Sequence, residues 1–137
     1  MTSYNPTYYK YLFLFAAVFN WLITVSWAVA YPQIFSLLGI APVTEPLFLH
    51  LFLALAFIFG IGYYRVGNAL KQGSDVILLG VIGKIAVFVV ILWYWLASKT
   101  AVMMLVVGTG DLIFALLFIE YLNRFSKLKN NQSELHQ

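Results

Sequence analysis

Two charged residues sit inside stretches that are otherwise apolar: Lys84 in GVIGKIAVFVV and Asp111 in VVGTGDLIFALL. A lone charge at the centre of a membrane helix costs about 2.5–3.5 kcal/mol, so such residues usually pair or serve a function. An ammonium and a carboxylate at one depth can act as a staple that fixes helix register. They can also couple an ion or proton, or hold a polar ligand. Lys84 lies about 13 Å from the start of its apolar stretch and Asp111 about 16 Å from the end of its own, at 1.5 Å per helical residue. A short connection makes the two stretches antiparallel neighbours. The pair is therefore expected to meet, the alternative being that each charge faces a separate partner across an oligomer.

Asn20 reaches nearly the same layer on the first apolar stretch and could hydrogen-bond to either charge; Thr24 is one turn further out on the same face. Lys84, Asp111, Asn20 and His50 form the candidate binding or coupling set, with Thr24 and Glu45 secondary. His50 has several readings. As a metal or haem ligand it lacks company, because the only other histidine is His136 in the tail. Proton transfer with Glu45, solute binding at the outer mouth, and an interfacial histidine bonded to a carbonyl all stay open. No catalytic residue and no metal site are expected: there is no nucleophile motif and no ligand constellation. GTGD is no nucleotide loop, since no strand precedes it. Glu120 and Arg124 form an ordinary i,i+4 pair on the side of the helix away from Asp111.

These residues must be positioned by membrane helices. Of 137 residues, 63% are hydrophobic and 9% charged, against about 45–50% and 25% in soluble domains. There is no cysteine, which removes disulfides, thiol relays, iron–sulfur clusters and thiolate metal sites together. A single domain over 1–137 is expected, with spans at about 11–31, 47–64, 76–96 and 101–122; each is near the ~20 residues that cross a bilayer core. A signal peptide competes for the first span, with Lys10 as its basic region, but the apolar stretch is longer than that reading allows.

Residues 1–10 read as a lead-in with no helical pattern before Tyr8. Pro32 kinks or ends the first helix. PQIFSLLG then reads as a short interfacial helix with Gly39 past its end. Thr44 is expected to cap the second span, with Glu45 at its positive end, and Ser74 or Asp75 to cap the third. The tail, about 125–137, is expected to be flexible.

Lys10, Arg65, Lys71, Arg124, Lys127 and Lys129 fall on one side and only Lys99 on the other. The positive-inside rule then puts both termini in the cytoplasm. Tyr8, Tyr9, Tyr11, Tyr63, Tyr64 and Tyr121 would mark the inner boundary, and Trp27, Tyr31, Trp93, Tyr94 and Trp95 the outer one. The tail cations suit anionic lipid headgroups rather than nucleic acid. Small residues, namely Ala56 and Gly60, Gly80 and Gly83, Gly108 and Gly110, suit close helix packing.

The pattern GxxGKxxVF, followed by GDLIFALLF, resembles small four-helix bacterial membrane proteins of the DoxX-like kind. The resemblance covers the four spans. It implies an up-and-down four-helix bundle and an accessory role, since some members are associated with quinone-linked oxidoreductase complexes. It carries over no catalytic residue. The residues predict no cofactor; haem and quinone stay open.

The expectation is an all-α four-helix transmembrane bundle in a bacterial-type inner membrane. It would bind or transport a small polar or amphipathic solute, with the Lys–Asp pair as the binding or proton-coupled centre, and would oligomerise to form a pathway. The rival reading is a structural or accessory subunit with the pair as a packing staple. An enzyme ranks last.

Overall fold

Asn5 and Pro6 start the first helix. The Asn5 side chain accepts the Tyr8 N–H at 3.2 Å, and proline at the first position has no amide left to satisfy. The computed structural model describes residues 4–134. It is an all-α bundle of four helices: α1 Pro6–Leu38, α2 Leu47–Asn68, α3 Ser74–Leu96 and α4 Met103–Glu134. Each is long and apolar enough to cross a membrane. The helix thus begins earlier than the expected lead-in allows, because Asn-Pro is itself a start signal.

α1 kinks where Pro32 requires it. Proline removes the i→i−4 bond and its ring presses on the preceding turn. The distortion falls on Ala30, at φ −120° and ψ 24°. The expected short helix is therefore the far arm of α1. It ends at Gly39, whose φ of 67° is left-handed and whose N–H reaches Phe35 and Ser36 carbonyls. Phe35 is buried against the Trp27 ring, 5.7 Å away, and so ties that arm back to the main helix.

Three expected ends differ. Thr44 does not cap α2. Pro46 takes the cap position with no side-chain bond, and its carbonyl accepts the His50 N–H at 2.9 Å. Neither Ser74 nor Asp75 caps α3, since both are already inside it behind Gly73. Asp75 instead sits in the first turn, where a carboxylate favours the helix dipole. α4 does not stop at residue 122 but runs to Glu134. Arg124 pairs with Glu120 at 2.7 Å, and Phe125 stacks on Tyr121 at 5.6 Å, which holds the turns past the expected boundary. Of the expected flexible tail, residues 135–137 lie outside the described residues, as do residues 1–3 of the lead-in.

The helices pair as two hairpins, α1 with α2 and α3 with α4. In the first hairpin Gly60 lets Trp21 lie flat on α2, where the indole N–H donates to Phe57 O at 3.2 Å. A Cβ at Gly60 would come within 2.6 Å of the indole nitrogen. In the second, Ser98 adopts φ 55° at the turn. The Tyr121 hydroxyl donates to Leu70 O at 2.6 Å, joining α4 to the loop between hairpins. That bond puts the start of α1, the α2–α3 loop and the far part of α4 at one end, which also carries Lys10, Arg65, Lys71 and Arg124.

The core sits toward that basic end. Tyr9, Phe13, Tyr63, Ile77, Phe118 and Tyr121 are all but inaccessible. Their rings meet edge-to-face: Phe13 on Tyr121 at 4.8 Å and 87°, Tyr63 on Phe118 at 5.0 Å and 65°. Such contacts exploit the ring quadrupole beyond simple packing. Tyr9, Tyr63 and Tyr121 were expected at the membrane boundary and are in this core instead; Tyr8, Tyr11 and Tyr64 are exposed.

Candidate functional site: an ion pair beneath an inter-hairpin cavity

Lys84 and Asp111 meet across the second hairpin, Nζ to Oδ1 at 2.5 Å. The lysine side chain is 8% exposed and the aspartate 31%. The ammonium also lies 5.2 Å from the Phe114 ring centre and 5.9 Å from that of Tyr63. An aromatic face attracts a desolvated cation by up to about 2 kcal/mol. The lysine thus has a carboxylate partner and two ring faces, which together offset its burial.

The glycines around the pair divide into two kinds. Gly80 and Gly108 are packing sites. A Cβ at Gly80 would come within 2.7 Å of the Tyr63 hydroxyl, and one at Gly108 within 3.1 Å of Ile91. Gly83 and Gly110 have nothing within 4 Å of that position. Gly83 faces a cavity.

That cavity, of about 270 Å³, lies between the two hairpins. Phe19, Asn20, Ile23 and Thr24 come from α1, and Phe52, Ala56, Phe59 and Tyr63 from α2. Gly80, Gly83, Lys84 and Val87 come from α3, and Val107 and Asp111 from α4. On α1 and α4 the buried rings of Tyr9, Phe13, Phe118 and Tyr121 lie on the basic-end side of these positions, with Tyr63 of α2 and Ile77 of α3 at the same level. The ion pair therefore forms the polar floor of an apolar chamber that the rings close off from the basic end.

Asn20 joins this chamber but not as expected. Its Nδ2 donates to Ala56 O at 3.1 Å, across the first hairpin, and it bonds to neither charge. The Asn20 amide thus adds a second donor to a mid-helix carbonyl of α2, close to the small Ala56–Gly60 step. Thr24 is buried on the same wall, its hydroxyl donating to Asn20 O at 2.8 Å and Trp21 O at 3.2 Å.

His50 is not brought to the pair. It is exposed near the opposite end, edge-on to Tyr31 at 5.7 Å. Glu45 is exposed in the preceding turn. No group of three His, Cys, Asp or Glu among the described residues is placed to hold a metal ion. Glu120 stays apart from Asp111; besides Arg124 it accepts the Tyr9 hydroxyl at 3.5 Å.

Comparison with protein-family models, with curated proteins and with solved structures gives no match.

Tyr63 and Phe114 are the site residues that the sequence did not single out. Tyr63 was hidden by its neighbour Tyr64, since a double tyrosine reads as an interfacial belt. Helical spacing carried a usable signal: Ala56, Phe59, Gly60 and Tyr63 recur at steps of three and four, which puts them on one face.

Proposed function

We propose that this protein is a small multi-pass membrane protein that binds or transports a small amphipathic solute. The solute would sit between the hairpins, its polar end on the Lys84–Asp111 floor and its apolar part against Phe19, Phe52 and Phe59. The observation that carries this reading is the shared wall: the pair of buried Lys84 and half-buried Asp111 opens onto a chamber instead of being sealed by side chains. The chamber has nearly twice the volume of the ~150 Å³ apolar cavity that takes up benzene. Transport would need the aromatic core to part, with the pair as the group that senses the solute or exchanges a proton with it.

Gly83→Leu tests this. Its side chain would grow into open space and fill the chamber with no clash near its Cβ. Native mass spectrometry of gently solubilised protein is expected to show a retained small molecule on the wild type and none on an equally folded Gly83→Leu protein. Identical spectra would remove the chamber from the function.

We place the protein in a bacterial-type inner membrane with the basic end in the cytoplasm, on the distribution of Lys and Arg. The absence of native cysteine makes this easy to check. An impermeant maleimide added outside whole cells should label Lys99→Cys and leave Lys71→Cys unlabelled; the reverse pattern would invert the topology.

A second reading has its own support. Lys84 and Asp111 lie within one hairpin and pair with each other without a ligand. An accessory subunit of a larger membrane complex, which the resemblance to DoxX-like proteins suggests, would use the pair only as a staple between α3 and α4.

A further inference from the structure

We infer that the solute is a neutral amphiphile whose head both donates and accepts a hydrogen bond, such as an alcohol or primary amide. This rests on the chamber being a binding site and concerns what the site selects.

The polar atoms on the chamber wall set the head. Asp111 uses Oδ1 for Lys84; its Oδ2 takes no hydrogen bond from any described residue. Asn20 commits its Nδ2 to Ala56 O, and its Oδ1 is likewise unused. The Thr24 hydroxyl already donates to backbone and has only acceptor capacity left. Three wall groups thus offer acceptors. The donor side is thinner. Lys84 has spent one proton on Asp111 and lies over the Phe114 and Tyr63 rings. The Tyr63 hydroxyl, with no hydrogen bond in the described chain, can donate or accept. A head that donates to the carboxylate and accepts from the tyrosine matches this set.

Charge balance excludes the ionic alternatives. The floor carries one cation and one anion in contact and is neutral as a unit. A carboxylate head would bring a second anion beside Asp111 and Asn20 Oδ1. An ammonium head would compete with Lys84 for Asp111. Either would leave a net charge against a largely apolar lining, which is costly unless paired. The apolar part is bounded by the 270 Å³ volume and by its aromatic and aliphatic walls. That allows on the order of a dozen heavy atoms, scaled from benzene in ~150 Å³.

The test uses decanol, methyl decyl ether, undecanoate and decylammonium. All share one alkyl body, and the ether keeps an acceptor while losing the donor. Thermal unfolding of the purified protein in detergent is followed with each probe, for wild type and for Gly83→Leu. A bound ligand raises the melting temperature by mass action. Only the part of the shift lost in Gly83→Leu reports on the chamber, because micelle partitioning is common to both proteins. Decanol is expected to bind about tenfold or more tightly than the other three, a difference of about 1.4 kcal/mol. If the ether equals the alcohol, or either ion surpasses it, with the shift still sensitive to Gly83, the neutral-donor assignment is overturned and the binding chamber stands. If no probe gives a Gly83-sensitive shift, the chamber reading falls with it.

Discussion

Asp111→Leu alone is expected to destabilise the bundle by about 3–5 kcal/mol, and adding Lys84→Met is expected to recover most of that loss. The single change strands an ammonium whose side chain is 8% exposed. Breaking a buried pair from one side leaves an uncompensated charge, and that is the expensive step, about 3–5 kcal/mol. The price of a lone central charge on membrane-insertion scales, about 2.5–3.5 kcal/mol, is of the same size. The Phe114 and Tyr63 faces soften the loss but do not replace a carboxylate. Lys84→Met alone should cost less, because the carboxylate it strands is 31% exposed and borders the chamber. Unfolding in mixed micelles across the four proteins of the cycle isolates the coupling between the two residues. A double variant no more stable than Asp111→Leu would refute the stranded-charge account. The same double variant separates the two functional readings. A staple replaced by methionine and leucine restores a working subunit, whereas a binding floor replaced by them folds and retains no solute.

Much of this arrangement was legible in the residues. The four spans follow from composition and length, and the meeting of Lys84 with Asp111 follows from depth plus a short hairpin. What did not follow was the partner of Asn20. Depth places a side chain along the membrane normal but not around the helix axis, so Asn20 at the right level still turned to Ala56 O. Nor did the chamber follow. Small residues near a charge suggest close packing, and Gly80 and Gly108 obey that; Gly83 and Gly110 do not. Nothing local distinguishes the two kinds, because the difference depends on whether a side chain on another helix, Tyr63 at Gly80 and Ile91 at Gly108, occupies the space. The helix starts show the converse case. Asn5-Pro6 was a readable signal, but a polar lead-in masked it, while Thr44 looked like a cap and was displaced by Pro46 two residues on.

Phe118→Ala is expected to cost about 3–5 kcal/mol and to open the chamber toward the basic end. Phe118 is fully buried, with ring centres of Tyr63 at 5.0 Å, Phe13 at 5.2 Å and Phe114 at 6.0 Å. Truncating a core phenylalanine typically costs about 3–5 kcal/mol through lost contacts and the void left behind. Between membrane helices the hydrophobic effect adds little, so the loss falls on dispersion and ring geometry. Leu116→Ala, on the same helix but with its side chain exposed, should stay within about 0.5 kcal/mol of wild type. The functional consequence is sharper than the energetic one. Phe118 lies between the Lys84–Asp111 floor and the end that carries Arg65, Lys71 and Arg124. Its removal leaves Tyr63 and Phe13 without the ring that joins them. Gly83→Cys places a thiol on the chamber wall in a chain that has no other cysteine. A small charged thiol reagent confined to the basic side should modify that thiol rapidly when Phe118→Ala is present and slowly when Phe118 is intact. Equal rates in the two backgrounds would mean that the aromatic core is not the barrier, and that any solute reaching the ion pair is held back by something other than these rings.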